Sequence, residues 1–183
     1  MAKETTKRKK SVFIAAIVGV FTVALAGPGA ASFFEQRLAE KSLNDLAEDI
    51  LFARREAADT GTPITMCQSS DGEQCSGTGR WEDGWIVFED HNRNGATDRD
   101  EEVLSVSSGA LMGTIRAVEA RDSKIFANIA FSRKGLPRVI NGGGQSQNGV
   151  FQVCSGAADS NLGMKFSSAG SVFITGKTTY ACF

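Results

Sequence analysis

The residues best suited to chemistry lie between Asp90 and Glu101, in the order Asp-His-Asn-Arg-Asn-Gly-Ala-Thr-Asp-Arg-Asp-Glu. Oxygen-bearing side chains recur at Asp90, Asn92 and Asn94, Gly95 follows, and Glu101 closes the segment, which is the spacing of a calcium loop. In such a loop alternate oxygens wrap the ion and the glycine makes the sharp turn. Ala96 would offer its carbonyl, Asp98 a water-mediated contact, and Glu101 the closing carboxylate. The flanks, Trp85–Glu89 and Val103–Val106, read as strands rather than the helices of an EF-hand. A loop rich in Asn, Asp and Gly also turns between strands with no metal at all. Calcium is therefore a possible cofactor, with a metal-free turn as its rival, and no other cofactor is expected.

Little else points to catalysis. A hydrolase needs an activated nucleophile and an organised base, and His91 is the only histidine. Asp98, Asp100, Glu101 and Glu102 are paired carboxylates in a hydrophilic loop, where solvated surface is the simpler reading. The run Asn141-Gly142-Gly143-Gly144 has no helix start with Lys-Ser/Thr behind it, so it does not read as a phosphate cradle. The chain is not expected to be an enzyme. Four cysteines, Cys67, Cys75, Cys154 and Cys182, permit three pairings. The favoured one joins Cys67 to Cys75 around a polar loop and Cys154 to Cys182 at the C-terminal strand. A zinc site is the rival, but it lacks the paired short spacings such sites use.

The elements that would carry these residues are set by charge and periodicity. Residues 1–10 hold five Lys or Arg against one Glu, while the rest of the chain is acidic. From Ser11 to Ala31 no residue is charged, and 21 residues of helix rising about 1.5 Å each would cross a hydrocarbon core of about 30 Å. The basic block before this run keeps the N-terminus in the cytoplasm and sends the chain beyond Ala31 out of it. A cleavable secretory signal ending at Gly29-Ala30-Ala31 is the rival, and it exports the body equally. Gly27-Pro28-Gly29 predicts a kink. Residues 32–61 read as an amphipathic helix with Ala39, Leu43, Leu46, Ile50, Ala53 and Ala57 on one face. Glu48, Asp49, Arg54 and Arg55 fall elsewhere on its surface, and Thr60-Gly61-Thr62-Pro63 stops it. Residues 62–183 read as an exported, disulfide-bonded, β-rich domain. Its candidate strands are Ile64–Cys67, Trp85–Glu89, Val103–Val106, Ile125–Phe131, Gly149–Cys154 and Ser171–Thr175. The fold class is α+β, a long N-terminal transmembrane and amphipathic helix packed on an antiparallel sheet domain.

These features together resemble the GspH/FimT family of minor pilins and pseudopilins of type IV pili and type II secretion systems. The resemblance rests on the basic tail, the apolar helix broken by Pro28, the segment 51–57 (Leu-Phe-Ala-Arg-Arg-Glu-Ala) and the stretch 61–67 (Gly-Thr-Pro-Ile-Thr-Met-Cys). It rests most on 81–90 (Trp-Glu-Asp-Gly-Trp-Ile-Val-Phe-Glu-Asp), succeeded by Asn92, Asn94, Gly95, Asp98, Glu101 and then Val103-Leu104. It implies a pilin-like fold with the same disulfides and a non-catalytic subunit that primes or caps a filament. It also implies that the Asp/Asn/Gly loop is a family feature, which weakens the calcium reading. Its partners would be other pilin subunits and inner-membrane assembly proteins. Phe13, Ile14, Ile17, Val18, Phe21 and Pro28 would form the assembly helix.

The sequence departs from the family in two places. Thr6 and Ser11 stand where the processing glycine and the bilayer-embedded glutamate belong, and no acidic residue lies between Lys7 and Ala31. This fits a chain that stays in the membrane, sits at a filament tip, or is processed by a diverged route. Family members that bind DNA carry Gly-Arg-x-Arg near the C-terminus. Here Gly176-Lys177-Thr178-Thr179 keeps one cation, leaving Lys165 and Lys177 as candidate contacts. An acidic body attracts phosphate weakly, so nucleic acid is not an expected partner.

Overall fold

The computed structural model describes residues 28–110, 113–119, 127–140, 145–154 and 162–177. The chain divides into two compact units, Met1–Phe34 and Glu35–Phe183. Of the first, the described part is the opening of helix α1, which runs Pro28–Thr60. Pro28 stands at the helix start, where a missing N–H costs nothing. The kink expected at Gly27-Pro28-Gly29 falls at the edge of the described residues.

Helix α1 forms because Ala, Leu, Glu, Lys and Arg dominate its sequence. Exposed pairs at helical spacing, Arg37–Glu40 at 2.9 Å and Lys41–Asp45 at 2.5 Å, add a little. At its end the Thr60 hydroxyl donates to the Glu56 carbonyl. Gly61 then turns left-handed (φ +68°), and Pro63 bars continuation. The stripe read from the sequence is the buried face: Ala39, Leu43, Leu46, Ile50, Ala53 and Ala57 are all inaccessible to solvent, with Ala47 and Ser42 beside them. The Ser42 hydroxyl donates back to Leu38 O at 2.9 Å, so the polar group in the seam is satisfied.

Beyond the helix the described residues form nine strands: β1 Ile64–Gln68, β2 Trp85–Glu89, β3 Val103–Ser107, β4 Thr114–Glu119, β5 Asn128–Phe131, β6 Pro137–Arg138, β7 Gly149–Cys154, β8 Leu162–Phe166 and β9 Val172–Lys177. They build two antiparallel sheets, ordered β3-β2-β1-β5-β6 and β4-β7-β8-β9. Strands β4, β6 and β8 were not among those expected from the sequence. The expected strand from Ile125 begins at Asn128, and residues 121–126 lie outside the described set. One core joins α1 to both sheets, with Ile64, Met66, Trp85, Val87, Ile129 and Phe131 from the first and Ile115, Phe151, Val153, Met164 and Phe166 from the second. Phe131 and Phe166 meet edge to face across it, their centroids 6.0 Å apart. Ile86, Phe88 and Cys67 make a smaller cluster on the opposite face of the first sheet, under Cys75 and Val103.

A short 3-10 turn, Trp81–Asp83, couples the two sheets. The Trp81 ring packs edge-on against Phe151. The Glu82 carboxylate accepts the Arg116 guanidinium and the Ile115 N–H of β4, and Glu82 O accepts Ala110 N–H. Burial raises the Glu82 carboxyl, but the hydrogen bond and charge of Arg116, with main-chain N–H donors, outweigh it and hold it below its ordinary value of 4.5. A depressed carboxylate contributes stability that is complete above 4.5 and is lost as pH falls through the folded-state value. In acid titrations of unfolding free energy, Glu82→Gln is therefore expected to flatten the loss below pH 4.5. An acid limb as steep as the parent's would show that Glu82 does not couple the sheets this way.

Candidate functional site

The loop from Asp90 to Glu101 joins β2 to β3, and its oxygens are turned inward on its own chain. Asp90 is buried, and its carboxylate accepts the Thr65 hydroxyl at 2.7 Å, Asn94 N at 3.0 Å and Gly95 N at 3.1 Å. Asn92 Oδ1 and Asn94 Oδ1 accept Asn94 N and Ala96 N. Both Asn amides point their Nδ2 at one Asp98 oxygen, at 2.7 and 2.9 Å. Glu101 accepts His91 N and Asp98 N. Gly95 is required twice over: it sits at φ +76°, and a Cβ there would lie 2.3 Å from the Ile140 side chain.

The structure thus brings together all the residues that the sequence singled out as calcium ligands, but not as a cage. Their acceptors are occupied by N–H and O–H groups, and Asn92 and Asn94 turn donors toward Asp98. Among the described residues no three His, Cys, Asp or Glu side chains converge as metal ligands. In this arrangement the loop is a self-supporting turn anchored on Asp90. The lone imidazole, His91, is half exposed and lies 3.2 Å from Glu89.

Two residues that the sequence left on the helix surface turn out to fix it. Asp49 accepts Trp85 Nε1–H at 2.7 Å and the Ser105 hydroxyl at 3.1 Å, binding α1 to β2 and β3. Arg54 donates to Gly170 O at 3.0 Å, in the turn between β8 and β9. The only sign of Asp49 in the sequence was its place beside the apolar stripe, one residue from Ile50. The opposite side of α1 carries Lys41, Asn44, Glu48 and Leu51, all exposed.

The disulfide Cys67–Cys75 is present, closing the polar loop after β1. Cys154 is also disulfide-bonded, and Cys182, its expected partner, lies outside the described residues. Phe13, Ile14, Ile17, Val18 and Phe21 lie outside them too, and Pro28 is described only as the start of α1. No described helix is long and apolar enough to cross a membrane. Lys165 is exposed on β8, paired across the sheet with Phe173, while the side chain of Lys177 is not described.

Residues 42–170 match the family described as Type II transport protein GspH. The fold is similar to the crystal structure of the type IV minor pilin FimU of Pseudomonas aeruginosa PAO1, with a TM-score of 0.53 at 18% identity over 78% of this chain and 92% of that one. A second crystal form of FimU gives 0.51 at 16% identity, over 74% and 91%. The minor pseudopilin EpsH of the Vibrio cholerae Type 2 Secretion System gives 0.48 at 8% identity, over 75% and 96%. No curated protein matches the chain.

Because Asp90 holds three donors, Asp90→Ala leaves the buried Thr65 hydroxyl and the Gly95 N–H without this acceptor, while Asn94 N–H keeps only Asn92 Oδ1. The expected loss of stability is about 2–4 kcal/mol by denaturant unfolding. Millimolar calcium should leave the melting temperature of the parent unchanged. A calcium-dependent rise that Asp90→Ala abolishes would establish the metal reading.

Proposed function

The chain belongs to the GspH family of type II transport proteins, and from that membership we propose that it is a minor pilin or pseudopilin, a structural subunit that primes or caps a type IV pilus or a type II secretion pseudopilus. The observation that carries this reading is the family match over residues 42–170, which takes in more than half of α1, the whole first sheet and β4, β7 and β8 of the second. The architecture supports it. One face of α1 closes the core, and the other is left for neighbouring subunits. In this reading the role is that of a structural, non-catalytic subunit.

In this reading the apolar run 11–31 anchors the chain in the inner membrane, with the basic tail in the cytoplasm and the disulfide-bonded body in the periplasm. Phe13, Ile14, Ile17, Val18 and Phe21 pack against the helices of other subunits during assembly. Pilins ordinarily carry a carboxylate in this segment, where burial in lipid is costly and is retained for use. With Ser11 in that place, the chain is suited to a terminal position, where it need not repeat the contact made along a filament. DNA capture gains no support from the described surface: Lys165 is one exposed cation on an acidic body.

Ile17→Asp in the full-length chain tests the anchor. A carboxylate at mid-span costs roughly 3 kcal/mol in membrane insertion. The variant is expected to vanish from sheared filaments and cross-linked assembly complexes, while its body keeps its disulfides and protease resistance. Undiminished incorporation would refute anchor packing.

A further inference from the structure

We propose that Phe33 and Phe34 dock on lipid, at the boundary between acyl chains and headgroups of the outer leaflet of the membrane that holds the chain. This rests on the anchored reading above and adds to it the surface that sets how far the chain enters. Three observations lead there. The two rings are 54% and 66% exposed, and they touch edge to face at 6.3 Å. The face that α1 buries, which begins at Ala39 and Ser42, does not include them. Their position along the chain is the third. They close the uncharged stretch that runs from Ser11 to Phe34, on helix that is continuous from Pro28. At about 1.5 Å per residue they lie roughly 3–5 Å past Ala31, where the proposed span ends. Glu35, Gln36 and Arg37 come next, so the change from apolar to charged chain happens at these two rings.

That is the depth at which Phe, Trp and Leu on the apolar face of an interfacial helix are buried, with the rings among the upper acyl carbons and polar chain just outside. Neighbouring helix positions differ by about 100°, so the two rings cover adjoining sectors and present a broad apolar front rather than one knob. A lipid interface accommodates such a front without a matching groove.

The test uses the full-length chain in vesicles of phosphatidylethanolamine and phosphatidylglycerol that contain lipids brominated either high or deep in the acyl chain. Phe33→Trp and Phe34→Trp each add an emitter above the background of Trp81 and Trp85, which are buried. The added emission should be lost to the high-brominated lipid and kept more fully with the deep one. Asn44→Trp, at an exposed position further along α1, should lose none. Stronger quenching by the deep lipid, or unquenched blue-shifted emission of the kind a protein contact gives, would overturn the inference while the anchor stands. Release of the parent chain from vesicles by alkaline washing would overturn the anchored reading itself, and this inference with it.

Discussion

The body depends on the seam between one face of α1 and the two sheets. Neither sheet is large, and their inner faces meet in a core to which the helix contributes Ala39, Leu43, Leu46, Ala47, Ile50, Ala53 and Ala57. Small residues alternate with large ones along that face, so leucine and isoleucine side chains fill space that the alanines leave open. Each fully buried Leu or Ile is worth about 1.5–3 kcal/mol of transfer free energy, and these positions collectively decide whether the body holds together. Apolar contact alone would let the helix slide or roll. Asp49 and Arg54 prevent this by pinning α1 to β2 and β3 on one flank and to the β8–β9 turn on another. The result is a helix with one face fixed on the sheets and Lys41, Asn44, Glu48 and Leu51 exposed on the other.

The loop after β2 shows why residue types and spacing underdetermine chemistry. Calcium loops and Asx turns draw on the same Asp, Asn and Gly, because both put side-chain oxygens near tightly turned backbone. In the arrangement described, the side-chain oxygens find partners within the chain. Here Asp90 is buried against Thr65, a residue in β1 far away in sequence, and Glu101 folds back on His91 and Asp98. The carboxylates replace missing backbone partners in the turn, and the loop is held by its own charge-assisted bonds.

Much of the helix was legible because a period of about 3.6 over many residues is a redundant signal, and Thr60 to Pro63 punctuate its end. The strands were less so. Trp85–Glu89 and Gly149–Cys154 are bounded by turn residues and rich in β-formers. Leu162-Gly163-Met164-Lys165-Phe166 carries a glycine and a lysine, and Pro137–Arg138 is too short to show any period. Their place in a sheet comes from antiparallel pairing with the neighbouring strands, β8 with β7 and β9 and β6 with β5, which the residues of each strand alone do not encode. The division into two sheets was likewise hidden. The two sheets are coupled by Trp81 and Glu82, whose partners Phe151 and Arg116 lie far along the chain. The roles of Asp49 and Arg54 were invisible for the same reason: on a helical wheel they are ordinary surface charges.

The central claim is that this chain is built into an assembly of pilin-like subunits. Quantitative mass spectrometry of sheared surface filaments beside cross-linked inner-membrane complexes tests it most directly, following both the body peptides and the N-terminal peptide. The account predicts the chain in one or both fractions, at a small ratio to the main subunit and joined to other pilin-like chains. Its N-terminal peptide would show whether residues 1–10 are retained. Recovery only as an isolated protein, in neither filaments nor cross-linked complexes, would contradict it.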